Sequence, residues 1–393
     1  MPKHNENLNR QNVTVFYTFP RANISFNDNP FQLSLCNINN RNKPIISLTL
    51  YKYLIQLKQK VLDNAILIDC NLFTYLFVPI YFLKHFYTVP VILTDITFNN
   101  KKDFQETPVN IHFFEFIEMF NVLHLSNDAV FKQKAITPPH IRDHINFLYI
   151  GDPENTVQYY QANMFLRKRF NNKDQYHFYT NQTKPIDILQ KVTCANIEME
   201  YITIDAFNEH QDEYSIVRQT LLYFIIALNV QRYCGNLILK LSDCFTELSI
   251  DVVYLISSFY EKTFFIKPTV TSLSSSSRYI ICKGFYGTNN HTLAYLNSLF
   301  IQICKMNDTM QLKRILKVNI PVMFINKIEE INSILNQSRL EFIHQKINYF
   351  EMDRENAFRN KENNNHIKRP SMYEIKKCTD WCNRFHIPIN TII

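Results

Sequence analysis

Residues 235–284 constrain this chain most: GNLILKLSDCFTELSIDVVYLISSFYEKTFFIKPTVTSLSSSSRYIICKG. Leu237, Ile238 and Leu239 form a short unbroken apolar run, the pattern of a strand buried on both faces, and Lys240 stands at its end. Leu248, Val252, Leu255, Ile256 and Phe259 then recur at helical spacing. Residues 263–266 predict a second strand, stopped by Pro268, and residues 278–282 a third. Strand, crossover helix and two closing strands belong to a sheet covered by helices, so the fold class is α/β.

Upstream, residues 147–150 predict the first strand of this sheet. Gly151 to Asn155 is its turn and residues 157–170 its helix. Residues 176–179 and 201–204 follow as strands, the second ending at Asp205. A helix over 214–231, with Leu221, Leu222, Ile225 and Leu228 on its inner side, leads to Gly235. The main domain is thus expected over 145–287. Residues 1–134 read as an N-terminal α/β unit, with strands at 13–19, 31–35, 65–69 and 89–93. Its helices are expected at 47–62, from Leu72, and at 110–123, and residues 135–144, with Pro138-Pro139, are the linker. Asp69 and Asp95 each end a strand; ligand binding and plain strand termination both account for them. Residues 288–393 read as a C-terminal helical extension, with helices at 293–304 and 325–349 and a charged, Asn-rich exposed segment at 356–368.

A hydrophobic content of 46% excludes global disorder. The net charge of +7 is compatible with RNA or DNA contact without requiring it; Arg167, Lys168 and Arg169 form one basic cluster, and Lys361, Lys368 and Arg369 another. The 9 cysteines are odd in number and form no metal-type spacing, which points to reduced thiols inside a cell and to no metal site. The most apolar segment, from Leu72 to Tyr87, is interrupted by Pro79 and Lys84-His85 and is too short to span a bilayer, so no membrane partner is expected.

Several features of 235–284 occur in one order: Lys240, Phe245-Thr246-Glu247-Leu248-Ser249, Lys267-Pro268, Ser276-Ser277-Arg278-Tyr279 and Cys282-Lys283-Gly284. This series resembles the Rossmann-like 2'-O-ribose methyltransferases that modify mRNA caps and ribosomal RNA. Gln345-Lys346-Ile347, Cys378 and Ile387-Pro388 extend the resemblance toward the C-terminus. It implies a Rossmann-like methyltransferase sheet, on which the α/β unit of residues 1–134 is an N-terminal elaboration outside the resemblance. It also implies a catalytic set of two lysines, an aspartate and a glutamate that steers a ribose hydroxyl toward the methyl group of S-adenosylmethionine. Lys240 matches the central lysine and Asp205 the aspartate. The glutamate falls on Ser277, which carries no charge. Lys132 and Lys134 both precede the first strand, and neither is singled out as the other lysine.

The cofactor turn departs further. The family has paired glycines after its first strand; here Gly151 and Asp152 are followed by Pro153, Glu154 and Asn155, and only 4 glycines occur in the whole chain. The acid that would hold the cofactor ribose is replaced by Thr180-Asn181. Two expectations follow. In one, the chain is a pseudo-methyltransferase with Gly151, Asp152, Lys240, Asp205 and Ser277 as vestiges, no cofactor, and a structural role. In the other, it is an active S-adenosylmethionine-dependent mRNA cap 2'-O-methyltransferase. Tyr149-Ile150-Gly151 is similar to the strand end of a poxvirus cap methyltransferase that doubles as a transcription subunit. With a mass of 46.9 kDa, the chain is also similar in size and composition to the 47-kDa subunits of baculovirus-type late RNA polymerases. That likeness implies viral transcription subunits as partners and the host nucleus as location.

Overall fold

A computed structural model describes residues 16–37, 43–63, 111–123, 125, 145–167, 174–208, 211–307, 309–359 and 379–387. The elements are β1 (Phe16–Thr18), β2 (Phe31–Asn37), α1 (Leu48–Asp63), α2 (Ile111–Val122), β3 (Asn146–Gly151) and α3 (Pro153–Arg167). Next come β4 (Gln175–Thr180), α4 (Pro185–Ala195), β5 (Met199–Asp205), α5 (Glu213–Leu228), β6 (Gln231–Leu241) and α6 (Glu247–Ser258). The chain continues with β7 (Tyr260–Ile266), β8 (Arg278–Phe285), α7 (Asn290–Cys304), β9 (Met310–Leu316) and α8 (Val322–Arg359).

Seven strands form one sheet in the order β1-β7-β8-β6-β5-β3-β4. The strands β4, β3, β5 and β6 run parallel; β8 is antiparallel to both β6 and β7. The chain passes from β3 outward to β4 and then returns across β3 to β5, so the order reverses there, and the carboxyl ends of β3 and β5 border the crevice where open α/β sheets bind ligands. This is an α/β fold with a Rossmann-like sheet.

Successive side chains of a strand face opposite ways, and that sorts the core into two layers. Leu148, Ile150, Ile202, Ile204, Leu237, Leu239, Ile280 and Cys282 pack with α4, α5, α6 and α7. Phe147, Tyr149, Tyr201, Ile238, Tyr279 and Ile281 pack with α2, α3 and Trp381. By the same alternation Asp205, Lys240 and Tyr279 lie on the α2 side.

The N-terminal elaboration is woven into this body. β1 extends the sheet edge on β7, β2 pairs with β9 in a separate two-stranded sheet, and α1 packs beside α8. Residues 113–120 of α2 are all buried, and Phe113, Phe114, Phe116 and Phe120 are 0–3% exposed. These phenylalanines pack against the sheet, α3 and Trp381. The C-terminal extension contains α7 and α8 as expected, and also β9, whose pairing with β2 the sequence reading missed. The expected strands at 65–69 and 89–93, the helix from Leu72, Asp69, Asp95, Lys132, Lys134, the linker, Lys168, Arg169 and the basic group Lys361, Lys368 and Arg369 lie outside the described residues.

Candidate active site around Lys240

Strand register brings the two expected residues together. Asp205 and Lys240 are direct partners across β5 and β6, and Tyr279 is the partner of Lys240 across β8. The Lys240 ammonium lies 3.8 Å from Asp205 Oδ2, with the two side chains 5% and 4% exposed. Asp205 Oδ2 also accepts from Asn155 Nδ2 at 3.0 Å and from the Tyr149 hydroxyl at 3.3 Å, and Oδ1 accepts from the Phe207 N–H at 3.3 Å. The rings of Phe207 and Tyr279 stand 5.4 and 5.7 Å from the ammonium, within cation–π range.

The other side of Lys240 is built by α2. His112 Nδ1 is 3.3 Å from Lys240 Nζ and 2.9 Å from Glu115 Oε2. Glu115 Oε2 also accepts from the Tyr279 hydroxyl at 2.7 Å, and Oε1 accepts from Thr271 Oγ1 at 2.6 Å. Burial pushes the Glu115 carboxyl up, but the charges of Lys240 and His112, with hydrogen bonds from His112 and Thr271, outweigh it and hold the group down at about 2. His112 Nδ1 can donate to Glu115 when it carries a proton, or accept from the Lys240 ammonium when it does not. The Tyr149 and Tyr279 hydroxyls are pushed well up, by burial first and by Asp205 and Glu115 next, so both remain donors. His112 and Glu115 were not singled out from the sequence. The available signal was His112, Glu115 and Glu118 recurring every third residue on a mostly apolar helix.

Ser277 is buried in a serine turn, where its N–H donates to Ser275 Oγ at 3.1 Å and its hydroxyl accepts from the same group. A second charged group lies beyond the end of β6. Asp243 is ion-paired with Arg278 and Arg339 and accepts from Asn336 Nδ2 at 3.0 Å. Arg278 also donates to Asn332 Oδ1 at 2.9 Å, and Lys267 donates to the Ser275 carbonyl at 2.5 Å. At this end of the sheet a cleft of about 340 Å³ opens between α1 and α8, lined in part by Tyr51, Lys58, Ser242, Ser275 and Arg339.

The turn between β3 and α3 is short. β3 ends at Gly151 and α3 begins at Pro153, leaving Asp152 alone between them. A Cβ at Gly151 would stand 2.8 Å from both the Cβ and the carbonyl oxygen of Asp205, so this glycine serves the close approach of β3 and β5. At the end of β4 the Asn181 N–H bonds back to the Gly151 carbonyl, and no carboxylate stands at Thr180 or Asn181. Asn155, on the first turn of α3, turns back onto Asp205. Gly151→Ala is expected to cost about 1–3 kcal/mol, since the methyl group can be placed only by shifting the Asp205 backbone. Thermal unfolding of the variant checks this, and an unchanged midpoint would refute the packing argument.

No family model matches the chain. Part of it is 29% identical over 118 residues to a mouse cap-specific mRNA (nucleoside-2'-O-)-methyltransferase 1, covering 30% of this chain and 14% of that protein. The human protein is 32% identical over 89 residues, covering 23% and 11%. The Trypanosoma cruzi protein is 34% identical over 77 residues, covering 20% and 21%. The matched segments thus span 11–21% of these relatives' own length. Among solved structures, an N-methyltransferase of Haemonchus contortus in complex with phosphomonomethylethanolamine and S-adenosylhomocysteine is 14% identical with a TM-score of 0.25, covering 44% of this chain and 38% of that one. At that score the likeness bears no weight, and the fold assignment rests on strand order.

Proposed function

We propose that this chain is a methyltransferase-derived protein that no longer transfers methyl groups and serves as a subunit of a viral DNA-dependent RNA polymerase or late transcription complex. The observation that carries the loss of catalysis is the closed centre. Lys240 and Asp205 are 5% and 4% exposed, and Asn155, on the first turn of α3, bonds the very carboxylate that should face the reacting hydroxyl. The transcription role is supported by the likeness in size and composition to late polymerase subunits and by the similarity to cap 2'-O-methyltransferases. Its partners are the other subunits of that complex, with RNA or DNA contact through basic residues, and its location is the host nucleus. No cofactor is assigned. Among the described residues no helix is long and apolar enough to cross a membrane, and no group of three His, Cys, Asp or Glu residues could hold a metal ion.

Titration calorimetry with S-adenosylmethionine is expected to give no binding in the micromolar range, and micromolar binding would overturn the proposal. Lys240→Ala is a poor test, because removing a buried cation leaves Asp205 without its counter-charge. Lys240→Arg keeps that charge and is the better variant.

A second reading is favoured by one observation: Lys240 is flanked by Asp205 on one side and by His112 and Glu115 on the other. That surrounds a lysine with the groups needed to orient it toward a ribose hydroxyl in an S-adenosylmethionine-dependent mRNA cap 2'-O-methyltransferase. Loss of ribose methylation in a Lys240→Arg protein whose complex still assembles would establish it.

A further inference from the structure

We infer that Glu115 of α2 supplies the second carboxylate of the Lys240 centre, acting through His112, in place of the charge that Ser277 lacks. This rests on the reading that the centre descends from a methyl-transfer site. It holds whether or not the site still binds a cofactor.

Three contacts carry the inference. Ser277 lies in the serine turn just before β8, two residues from Tyr279. The Tyr279 hydroxyl reaches back to Glu115 Oε2, so the carboxylate of α2 is tied to the strand that pairs with Lys240. His112 Nδ1 touches Glu115 at 2.9 Å and Lys240 at 3.3 Å, which joins the carboxylate to the lysine on the side away from Asp205. Thr271 Oγ1, in the loop between β7 and β8, holds the second oxygen and fixes the carboxylate's orientation. The helix enters this space because its phenylalanines are buried against the sheet and α3, which leaves its first turn no other place to lie. The charged and titratable groups facing Glu115 are His112 on its own helix, Lys240 on β6, Tyr279 on β8 and, at longer range, Lys267 after β7. Glu115 is thus a positioning residue for Lys240.

The test is a pair of double-substitution cycles read by thermal unfolding of the full chain at one pH, independent of any cofactor. Glu115→Gln and Lys240→Met are each expected to lower the midpoint, and the double variant to fall no further than the worse single one. Ser277→Glu is expected to lower the midpoint of the unmodified protein by crowding two carboxylates, and to raise it in the Glu115→Gln background. If Glu115→Gln does not fold, the Glu115→Gln, Ser277→Glu double variant decides: recovery of a folded protein supports the assignment, and no recovery overturns it. A carboxylate that merely anchors Thr271 and Tyr279 predicts additive losses with Lys240→Met and the same sign for Ser277→Glu in both backgrounds. Either result would overturn the assignment. Failure of the cofactor experiment would leave these cycles untouched.

Discussion

An Asp243→Ala protein is expected to lose about 3–5 kcal/mol of stability, because the substitution leaves a buried guanidinium without its partner. Arg278 is 2% exposed and its ion pair with Asp243 lies inside the protein. Arg339 loses the same partner, and Asn336 loses the acceptor for its amide. Urea or thermal unfolding measures the loss, and a cost below about 1 kcal/mol, the range of exposed pairs, would show that the cluster is wet. The same cluster predicts sensitivity to acid. Burial pushes Asp243 up, but Arg278 and Arg339 outweigh it and hold the carboxyl below its ordinary value. Glu115 is held at about 2 against an ordinary 4.5. In both, the folded state binds its proton later than the unfolded chain does. Their stabilisation is therefore complete above the ordinary carboxylate range and is lost as the pH falls toward 2.

Stability is expected to rise by about 2 kcal/mol between pH 7 and pH 9, and Lys267→Met is expected to abolish the rise. Burial, followed by the repulsion of Arg278 and Arg339, pulls the Lys267 ammonium down to about 7 from an ordinary 10.5. Between those values the unfolded chain binds a proton that the folded protein does not, so raising the pH favours folding. Above pH 9 the trend reverses, because burial pushes the Cys244 and Cys282 thiols up and the unfolded chain then loses protons first. Chemical unfolding at several pH values reads both limbs. A flat profile from pH 7 to 9 in the unmodified protein would mean that Lys267 reaches solvent.

The parts of this fold that were legible in the sequence share one cause. In β3, β5, β6 and β8 both faces are buried, so apolar residues run continuously and end where a polar residue reaches the sheet edge. That pattern located Asp205 and Lys240 and, through register, their contact. The helix α2 defeated the same reasoning. It is buried nearly all round, and its Glu115 and Glu118 bond Tyr279, Thr271, Thr269 and Trp381. These partners are distant in sequence, and no local spacing announces them. The strand β9 was missed for a related reason. Met310–Leu316 carries Gln311, Lys313 and Arg314 on a strand with one partner only, β2, and pairing so remote leaves little local trace.

That weaving of the N-terminal elements into the body has a consequence for how the chain is made. Among the described residues, β1 pairs with β7 and β2 with β9, and α1 packs beside α8. A growing polypeptide emerging from the ribosome must hold its first strands unpaired until the last third of the chain has been synthesised. Closure of such long loops slows the final step and exposes strand edges meanwhile. Pairing of β2 is thus completed only when Met310–Leu316 arrives.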